Sequence, residues 1–598
     1  MEKMKRTIYC GLLSREDVGR EVVLNGWVHR LRDHGGITFI NMRDRSGIVQ
    51  VVVEPDSAPE LLRLTAELKN EYCIALQGRV RLRPDEMINP AMPTGEIEVK
   101  ALALEILSTC EVLPFMIDEE TQAKEDLRLR YRYLDLRSLG MQQRLKLRHE
   151  VSFAAREYLV SQGFYEIETP TLIRSTPEGA RDFLVPSRIL PGKFYALPQS
   201  PQLYKQLLMV SGFDRYFQIA RCYRDEDARG DRQPEFTQID LEMSFVSRKD
   251  VFQVIEGMFK YIFKKVLKQE LVTPFPHLPY QEALNRFGTD KPDLRFGLEL
   301  QDFDPYVAKS DFQVFKNILA CQGVAKALVV PASSEFSRKR LSELEDLAKT
   351  YGAKGLAWMK VTSTNTLEGG VAKFFEKEQA SIIKGLEAHP SDLILLVADK
   401  LKVACQALGA VRSRLGLDLN LIPNDMFNFC WIVDFPLFEY NEEEKRWEAA
   451  HHLFSMPQEE YLPSLENDPG SVKGELYDLV CNGVELASGS IRIHDPELQK
   501  RVFAIVGISE EEANKRFGFL LEAFRYGPPP HGGIAPGLDR LVSLLAGTST
   551  IREVIAFPKN TLGASPMDES PSEVTDSQLA ELHLALIKED KANPNPKQ

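Results

Sequence analysis

Four side chains that could form a polar binding site alternate along one predicted strand. In the run EFTQIDLEMSFV (235–246), one face carries a ring, an amide and two carboxylates, and the other face is apolar and suits a core. Such a polar face is typical of the floor of a binding site, with a solvated sheet surface as the alternative. The four residues are Phe236, Gln238, Asp240 and Glu242.

A dense charged segment lies just before this strand. From Arg221 to Glu235, nine of the fifteen side chains are charged, with both signs interleaved. The run DRYFQIARCYRD (214–225) also has strand character, so the two runs predict a long hairpin with a charged loop.

Two other segments carry charged groups at informative spacings. In YALPQSPQLYKQLL (195–208), Gln202 and Lys205 are three residues apart at a predicted helix start, so both can face one side. Asp478, Glu485 and Arg492 are spaced by seven along YDLVCNGVELASGSIRIHD (477–495), and strict alternation would separate the last two. They can share a site only if a β-bulge intervenes, and the predicted position is Gly489.

The segment GPPPHGGIAPGLDRLVSLLAG (527–547) predicts a loop, a strand and an apolar helix. Gly537, just before the helix, allows a ligand to approach closely. Arg540 falls in the first helical turn, where a cation is unfavourable unless an anion such as phosphate binds there.

The composition narrows the function classes. The net charge of −13 argues against nonspecific nucleic-acid binding, and no apolar run approaches the roughly 20 residues of a membrane helix. The N-terminus lacks the features of a signal peptide. Eight scattered cysteines without a CxxC pair predict reduced thiols, a cytoplasmic protein and no cysteine zinc site. Neither a P-loop nor a GxGxxG motif is present.

Several elements must position these residues, and the chain predicts a multidomain α+β protein. Its first 112 residues read as three strands, a helix and two strands, which is the order of an OB-fold β-barrel. The predicted strands are 21–33, 37–44, 47–55, 73–84 and 95–107, with a helix at 58–70. The predicted organisation is an OB-fold at 1–112, a hinge at 113–140, a first catalytic part at 141–288, an inserted α+β domain at 289–425, a second catalytic part at 426–560 and a C-terminal extension at 561–598.

Together these blocks resemble the class II aminoacyl-tRNA synthetases, whose catalytic domain is an antiparallel sheet. Pro170 in GFYEIETPTL (163–172) resembles motif one, a dimer-interface element, and GLDR at 537–540 resembles motif three. Arg224-Asp225-Glu226, the charged loop and Phe236 resemble motif two. The segments TPEGARDFLVPS, QSPQLYKQ, RQPEFTQIDLE and GSIRIHD are similar to those of the bacterial-type aspartyl-tRNA synthetase family, as is the inserted domain.

The resemblance implies ATP-dependent attachment of aspartate to tRNA through an aspartyl-adenylate, with magnesium as the metal and no zinc. Arg224 would hold the α-phosphate and Arg540 the γ-phosphate, and these two residues and Glu485 form the implied catalytic set. Asp478 and Glu485 would bind magnesium. The implied ATP-binding residues are Arg224, Asp225, Glu226, Gln233, Phe236, Glu485, Gly537, Leu538, Asp539 and Arg540.

The resemblance also implies an aspartate pocket. Arg492 would bind the side-chain carboxylate in a bidentate manner, Lys205 would add a second charge, and Asp240 would orient both cations. The histidines of AHHLF (450–454) would close the site, although Leu453 replaces the family's usual proline. The implied aspartate-binding residues are Glu178, Ser200, Gln202, Lys205, Arg224, Gln238, Asp240, His451, His452 and Arg492. Of these, Glu178, Ser200, Gln202 and Gln238 would hold the α-amino group, some of them through water.

In the barrel, the resemblance implies that Phe39 stacks on an anticodon base, that Gln50 hydrogen-bonds to one, and that Arg32 contacts the first. Family members that also charge asparagine tRNA often have a histidine at the position of His34. They also tend to have a glycine in the loop where this chain has Glu86. These two signals disagree, and the prediction leans towards charging both tRNAs.

The implied partners are tRNA, aspartate, a second copy of the chain in a homodimer and, if asparagine tRNA is charged, a tRNA-dependent amidotransferase. No membrane partner is expected. One alternative is an adenylating relative that makes asparagine or binds no tRNA, which the OB-fold disfavours. Another is a noncatalytic tRNA-binding relative, which is disfavoured because Arg224, Glu485, Arg492 and Arg540 are all present.

Overall fold

The computed structural model describes residues 4–118, 122–176, 180–331, 336–423 and 425–587, which form two compact units. Unit one comprises the residues up to Arg148 with residues 228–230 and 548–573, and unit two comprises the remainder. Each unit has its own apolar cores. None of the described helices is long and apolar enough to cross a membrane.

Unit one contains a closed five-stranded barrel. Its elements are β1 (Glu21–His34), β2 (Ile37–Asp44), β3 (Gly47–Val53), α1 (Pro59–Glu67), β4 (Cys73–Leu82) and β5 (Ile97–Ser108). The strand order is β1-β2-β3-β5-β4, and alternating side chains such as Val22 and Leu24 fill the interior. The predicted OB-fold barrel is therefore confirmed, and each element lies within a few residues of its predicted range.

Two short helices follow the barrel, α2 (Glu125–Arg130) and α3 (Arg132–Asp135), and α4 (Leu139–Ser161) continues into unit two. The buried guanidinium of Arg132 donates to the backbone oxygens of Arg552, Ile555 and Ala556 at 2.8, 2.9 and 2.9 Å. These bonds join residues 548–573 to the N-terminal segment of unit one.

Unit two is built around an eight-stranded sheet. The strands of unit two are β6 (Tyr165–Glu166), β7 (Leu184–Pro186), β8 (Phe194–Ala196), β9 (Arg215–Tyr223), β10 (Glu235–Ser244), β11 (His277–Pro279), β12 (Leu300–Asp302), β13 (Val324–Val330), β14 (Ala357–Val361), β15 (Leu367–Glu368), β16 (Leu393–Asp399), β17 (Phe429–Val433), β18 (Phe438–Asn441), β19 (Arg446–Ala449), β20 (Leu476–Cys481), β21 (Val484–Ile491) and β22 (His531–Pro536). Its helices are α5 (Gln202–Val210), α6 (Arg248–Ile262), α7 (Tyr280–Phe287), α8 (Asp304–Lys309), α9 (Gln313–Ala320), α10 (Arg338–Thr350), α11 (Gln379–Gly385), α12 (Leu401–Asp418), α13 (Pro496–Ile505), α14 (Glu510–Ala523), α15 (Leu538–Leu545) and α16 (Asp576–Glu581).

The order of the large sheet is β11-β17-β20-β21-β22-β10-β9-β6. Its two outermost pairings are parallel and the five between them are antiparallel. Strand β10 therefore lies inside the sheet, between β9 and β22, so its polar face is not at an exposed edge. The antiparallel sheet predicted for the catalytic domain is confirmed.

The stretch predicted as an inserted domain carries its own antiparallel sheet, in the order β12-β13-β16-β14-β15. Its strands are rich in Val, Leu and Ala, and helix α12 packs on one face through Leu408 and Val411. A separate aromatic and aliphatic cluster, including Phe303 and Phe375, lies on the other side of the segment.

The predicted bulge between Glu485 and Arg492 exists, but its predicted position is wrong. The register of β20 and β21 shifts at Leu486, because Val480 pairs with Glu485 while Leu479 pairs with Ala487. Gly489 has a different role: a Cβ there would lie 2.3 Å from the backbone oxygen of Gly533, so only glycine allows β21 and β22 to approach.

Candidate functional site

Two buried cations converge on the polar face of β10. The Nζ atom of Lys205, in the first turn of α5, lies 2.7 Å from Asp240 Oδ1 and 3.2 Å from Glu242 Oε2. Arg492, just after β21, donates to both carboxylate oxygens of Glu242 at 3.0 and 3.2 Å. Each of these four residues is at most 3% exposed. The structure thus brings together the three residues predicted to recognise an acidic side chain, and adds Glu242.

The two carboxylates of this cluster differ in their pKa. Burial raises the pKa of Asp240 above its ordinary value, and Lys205 offsets this only in part. Burial also disfavours the charged form of Glu242, but the attraction of Arg492 and Lys205 outweighs it and lowers the pKa to about 2. Glu242 is therefore the fixed counter-ion of Arg492.

The backbone around Glu242 is shaped for its carboxylate. Glu242 pairs with Gly533 of β22, and a Cβ at position 533 would lie 2.1 Å from Glu242 Oε2. On the other side of the guanidinium, Arg492 Nη1 donates to Ser490 Oγ at 2.6 Å. These contacts hold Arg492 in one orientation.

The residues predicted to hold an α-amino group lie at the start of α5 and on β10. Gln202 is 4% exposed and shares its helix with Lys205, and its backbone N donates to Ser200 Oγ at 3.4 Å. Gln238 lies on the same face of β10 as Asp240, with its Oε1 accepting from Cys222 Sγ at 3.2 Å. Glu178 lies outside the described residues.

The charged hairpin forms as predicted, with β9 and β10 in continuous register. Arg224 follows β9, and its guanidinium carbon lies 5.0 Å from the centroid of the Phe236 ring. The buried Nε of Arg224 has no hydrogen-bond partner among the described residues. Of the other predicted ATP ligands here, Gln233 is buried, and Asp225 and Glu226 are exposed on the loop.

Helix α15 brings four predicted ATP-binding residues next to this hairpin: Gly537, Leu538, Asp539 and Arg540. Asp539 is buried, and its Oδ2 accepts from the backbone N of Thr237 on β10 at 2.7 Å. Arg540 Nη1 donates to the backbone oxygen of Glu485 at 2.9 Å. The first turn of α15 is thereby tied to both the hairpin and β21.

The two predicted metal ligands lie on neighbouring strands, Asp478 on β20 and Glu485 on β21. Asp478 Oδ2 is 3.7 Å from His451 Nε2, and its buried Oδ1 has no partner within the described part of the chain. Glu485 Oε2 accepts from Lys291 Nζ at 2.6 Å. The second predicted histidine, His452, is half-buried, with its ring centroid 5.8 Å from that of Phe454.

The two carboxylates respond differently to burial. Burial raises the pKa of Asp478, whereas at Glu485 the Lys291 ammonium outweighs burial and lowers the pKa. A buried carboxylate oxygen without a partner, next to a second carboxylate, is a hard donor set that suits magnesium. In the described ranges, no group of three or more His, Cys, Asp or Glu could hold a metal ion, so water or substrate would supply the remaining ligands.

A cavity of about 930 Å³ lies beside these carboxylates. His451, Asp478 and Glu485 line one part of it, and Lys402 and Arg414 of α12 line another. The volume is in the range of small-molecule and nucleotide sites.

The five predicted anticodon contacts lie on unit one. Arg32 and His34 are exposed on β1, and Phe39 is half-buried on β2 opposite Arg32. Gln50 is buried on β3, where its Nε2 donates to a carboxylate of β5 at 3.0 Å. Glu86 is exposed in the loop after β4. The barrel thus presents Arg32, His34 and Phe39 from one strand pair.

The sequence prediction omitted several residues that the structure places at the site. Alternation along the strand puts Glu242 on the same polar face as Asp240, and this is the signal in the sequence that points to its role. Gln206, one helical turn after Gln202, is also buried and bonded to it. Lys291 carried no signal, because it is distant in sequence from every recognised motif.

Comparison with known proteins identifies both parts of the chain. The family described as tRNA synthetases class II (D, K and N) matches residues 124–561, and the OB-fold nucleic acid binding domain matches residues 22–107. A protein of Treponema denticola named Aspartate--tRNA(Asp/Asn) ligase is 64% identical over 98% of this chain and 100% of its own length. A protein of the same name from Treponema pallidum is 58% identical over 98% of both chains.

Among solved structures, the asparaginyl-tRNA synthetase from Pyrococcus horikoshii complexed with asparaginyl-adenylate is similar in fold. The TM-score is 0.58 at 21% sequence identity, covering 93% of this chain and 98% of that one. At this identity the likeness concerns the fold.

Proposed function

The chain belongs to the class II tRNA synthetases of the aspartate, lysine and asparagine group, and from that premise we propose that it attaches L-aspartate to tRNA in an ATP-dependent reaction. The reaction has two steps. The α-carboxylate of aspartate attacks the α-phosphorus of ATP, which forms aspartyl-adenylate and releases pyrophosphate. A ribose hydroxyl of the terminal tRNA adenosine then attacks the adenylate carbonyl and releases AMP.

The observation that carries the choice of aspartate is the buried pair of cations, Lys205 and Arg492, each held by a carboxylate of β10. A guanidinium with a fixed orientation binds a second carboxylate in a bidentate manner, and a nearby ammonium adds attraction. A neutral amide carries no negative charge for these cations to attract, and its NH₂ group would face their N–H donors, so the pocket favours aspartate over asparagine. The names of the Treponema relatives agree with this choice.

Three of the buried polar atoms that have no partner among the described residues lie in the proposed site and support the assignment of its remaining residues. They are Arg224 Nε, Asp240 Oδ2 and Asp478 Oδ1. Such atoms are uncommon in folded proteins, because each carries a desolvation cost that a ligand can relieve. Their positions correspond to the proposed α-phosphate, amino-acid and metal subsites.

In this proposal, Arg224 binds the α-phosphate, and Phe236 stacks on the adenine. Arg540 neutralises the γ-phosphate. This chemistry depends on positioning and on charge stabilisation by fixed groups, because the nucleophile is the substrate carboxylate itself. When magnesium is bound, it neutralises charge on the phosphates, with Asp478 and Glu485 as its protein ligands.

We also propose that the barrel binds the anticodon and that both aspartate and asparagine tRNAs are charged. The relatives named Aspartate--tRNA(Asp/Asn) ligase and the exposed His34 support this, and the aspartate placed on asparagine tRNA would then need an amidotransferase.

A homodimer in the cytoplasm is proposed as well. Exposed apolar side chains around the motif-one segment, such as Tyr165 at 64% and Leu172 at 51%, support self-association, and eight free cysteines suit a reducing compartment.

The test is ATP–pyrophosphate exchange with single amino acids. We expect exchange with aspartate and none with asparagine, and loss of exchange in Arg492→Ala. Arg501→Ala is the matched control, because Arg501 pairs with Glu466 on the surface. Aspartate activation that survives in Arg492→Ala would contradict the pocket assignment.

A further inference from the structure

A chain of hydrogen bonds connects the backbone to Gln202 in the proposed aspartate pocket. His531 Nδ1 lies 2.8 Å from the backbone oxygen of Pro529, and His531 Nε2 lies 3.1 Å from Gln206 Nε2. Gln206 Oε1 in turn accepts from Gln202 Nε2 at 3.2 Å. His531 and Gln206 are both fully buried, so no solvent competes for these bonds.

The chemistry of the groups fixes the direction of every bond in this chain. A backbone carbonyl can only accept, so His531 Nδ1 carries the hydrogen. Burial lowers the pKa of His531, which keeps the ring neutral and leaves Nε2 as an acceptor. Gln206 must therefore turn its NH₂ group towards His531 and its oxygen towards Gln202. Gln202 must then donate through its own NH₂ group, and its Oε1 is directed away from Gln206.

We propose that Gln206 and His531 are positioning residues that hold the Gln202 amide in the one orientation whose Oε1 accepts a hydrogen bond from the α-ammonium group of aspartate. This inference rests on the proposed function. If the amide were free to rotate, its NH₂ group would face the substrate ammonium for part of the time, and two donors cannot pair. The two residues act only through Gln202.

The proposal makes a prediction that a general packing role does not. The variants should bind more weakly only those ligands that carry the α-ammonium group. Succinate is aspartate without that group, and it keeps the carboxylate that Arg492 and Lys205 would bind. Loss of the amide orientation should therefore weaken the binding of aspartate and leave the binding of succinate unchanged.

The experiment measures KM for aspartate and for ATP in pyrophosphate exchange, and Ki for succinate, in the full-length protein. Gln206→Met removes both hydrogen bonds at similar volume, and Gln301→Met, on the inserted sheet, is the matched control. Because the hydrogen bond that loses its orientation is made to a charged group, we expect KM for aspartate to rise roughly tenfold or more in Gln206→Met. KM for ATP, kcat and Ki for succinate should stay close to wild type.

A second pair of variants tests the same bonds from the other end of the chain. His531→Leu removes the acceptor that faces Gln206, whereas His531→Gln provides a new acceptor near the Nε2 position. We expect His531→Gln to bind aspartate more tightly than His531→Leu, and circular dichroism checks that both are folded. This pair also decides the matter if Gln206→Met does not fold.

The outcomes separate the inference from the proposed function. The positioning role would be overturned if aspartate and succinate lost binding to the same extent, or if neither lost any. So would equal affinities in His531→Leu and His531→Gln. If the wild-type protein shows no aspartate-dependent exchange at all, the proposed function itself fails, and the positioning role fails with it.

Discussion

Glu242→Gln is the most informative single perturbation of the proposed aspartate pocket. Glu242 is fully buried, and its folded-state pKa of about 2 lies well below the ordinary value of 4.5. A difference of this size corresponds to about 3 kcal/mol of stability at neutral pH. The substitution keeps the shape of the side chain but removes the charge that compensates Arg492. We therefore expect a melting temperature several degrees below that of the wild type at pH 7.

The neighbouring carboxylate provides a control of opposite sign. The pKa of Asp240 is raised by burial, so its charged form is a burden on the folded state, and Asp240→Asn should cost less stability than Glu242→Gln. Because the pKa of Glu242 is lowered, its contribution is complete above the unfolded-state value and is lost as the pH falls towards about 2.

Thermal melts of both variants at pH 7 and at a pH near 3.5 are the assay, together with KM for aspartate in pyrophosphate exchange. We expect the difference in melting temperature between wild type and Glu242→Gln to be smaller at the lower pH. Aspartate KM in this variant should rise roughly tenfold or more, because the bidentate contact that orients Arg492 is lost. Equal melting temperatures of Glu242→Gln and Asp240→Asn at pH 7 would contradict the assigned role of Glu242, as would a difference between wild type and Glu242→Gln that does not depend on pH.

Three further predictions concern the surroundings of this pocket. Gly533→Ala would place a methyl group 2.1 Å from Glu242 Oε2, so we expect weaker aspartate activation with unchanged KM for ATP. Wild-type kinetics in this variant would show that β22 can shift without moving the carboxylate. Lys291→Met leaves Glu485 without its closest cation, so the melting temperature of the ligand-free protein should fall. Magnesium–ATP should then raise the melting temperature more than it does in the wild type. An equal rise in both proteins would argue against the ion pair. Phe236→Leu removes the ring beside Arg224, so KM for ATP should rise severalfold while KM for aspartate stays near wild type, and the reverse pattern would contradict the stacking role.

Local patterns made much of the fold and the site predictable. The barrel strands and the β9–β10 hairpin follow from alternation and turn residues, and Arg540 in the first turn of α15 follows from the Gly537 boundary. The sequence predicts the bulge at Gly489 and not at Leu486, because a glycine that permits close strand approach looks the same in sequence as one that permits a bulge. Lys291 was not predictable, because its contact with Glu485 spans 194 residues and no periodicity links them.

The different contacts of Asp240 and Glu242 could not be predicted from the sequence. Alternation places both carboxylates on one face, but only the distances show that Arg492 binds Glu242 while Lys205 contacts both. The opposite pKa directions follow from that geometry and have no counterpart in the sequence.

Aminoacylation with labelled aspartate on two purified transcripts, aspartate tRNA and asparagine tRNA, tests the proposed function directly. We expect both transcripts to be charged, and we expect omission of ATP or substitution of Arg492 to abolish both reactions. Charging of aspartate tRNA alone would remove the second substrate and leave the aspartate pocket in place. Charging of neither transcript, with aspartate-dependent pyrophosphate exchange intact, would contradict the central claim that this protein attaches aspartate to tRNA.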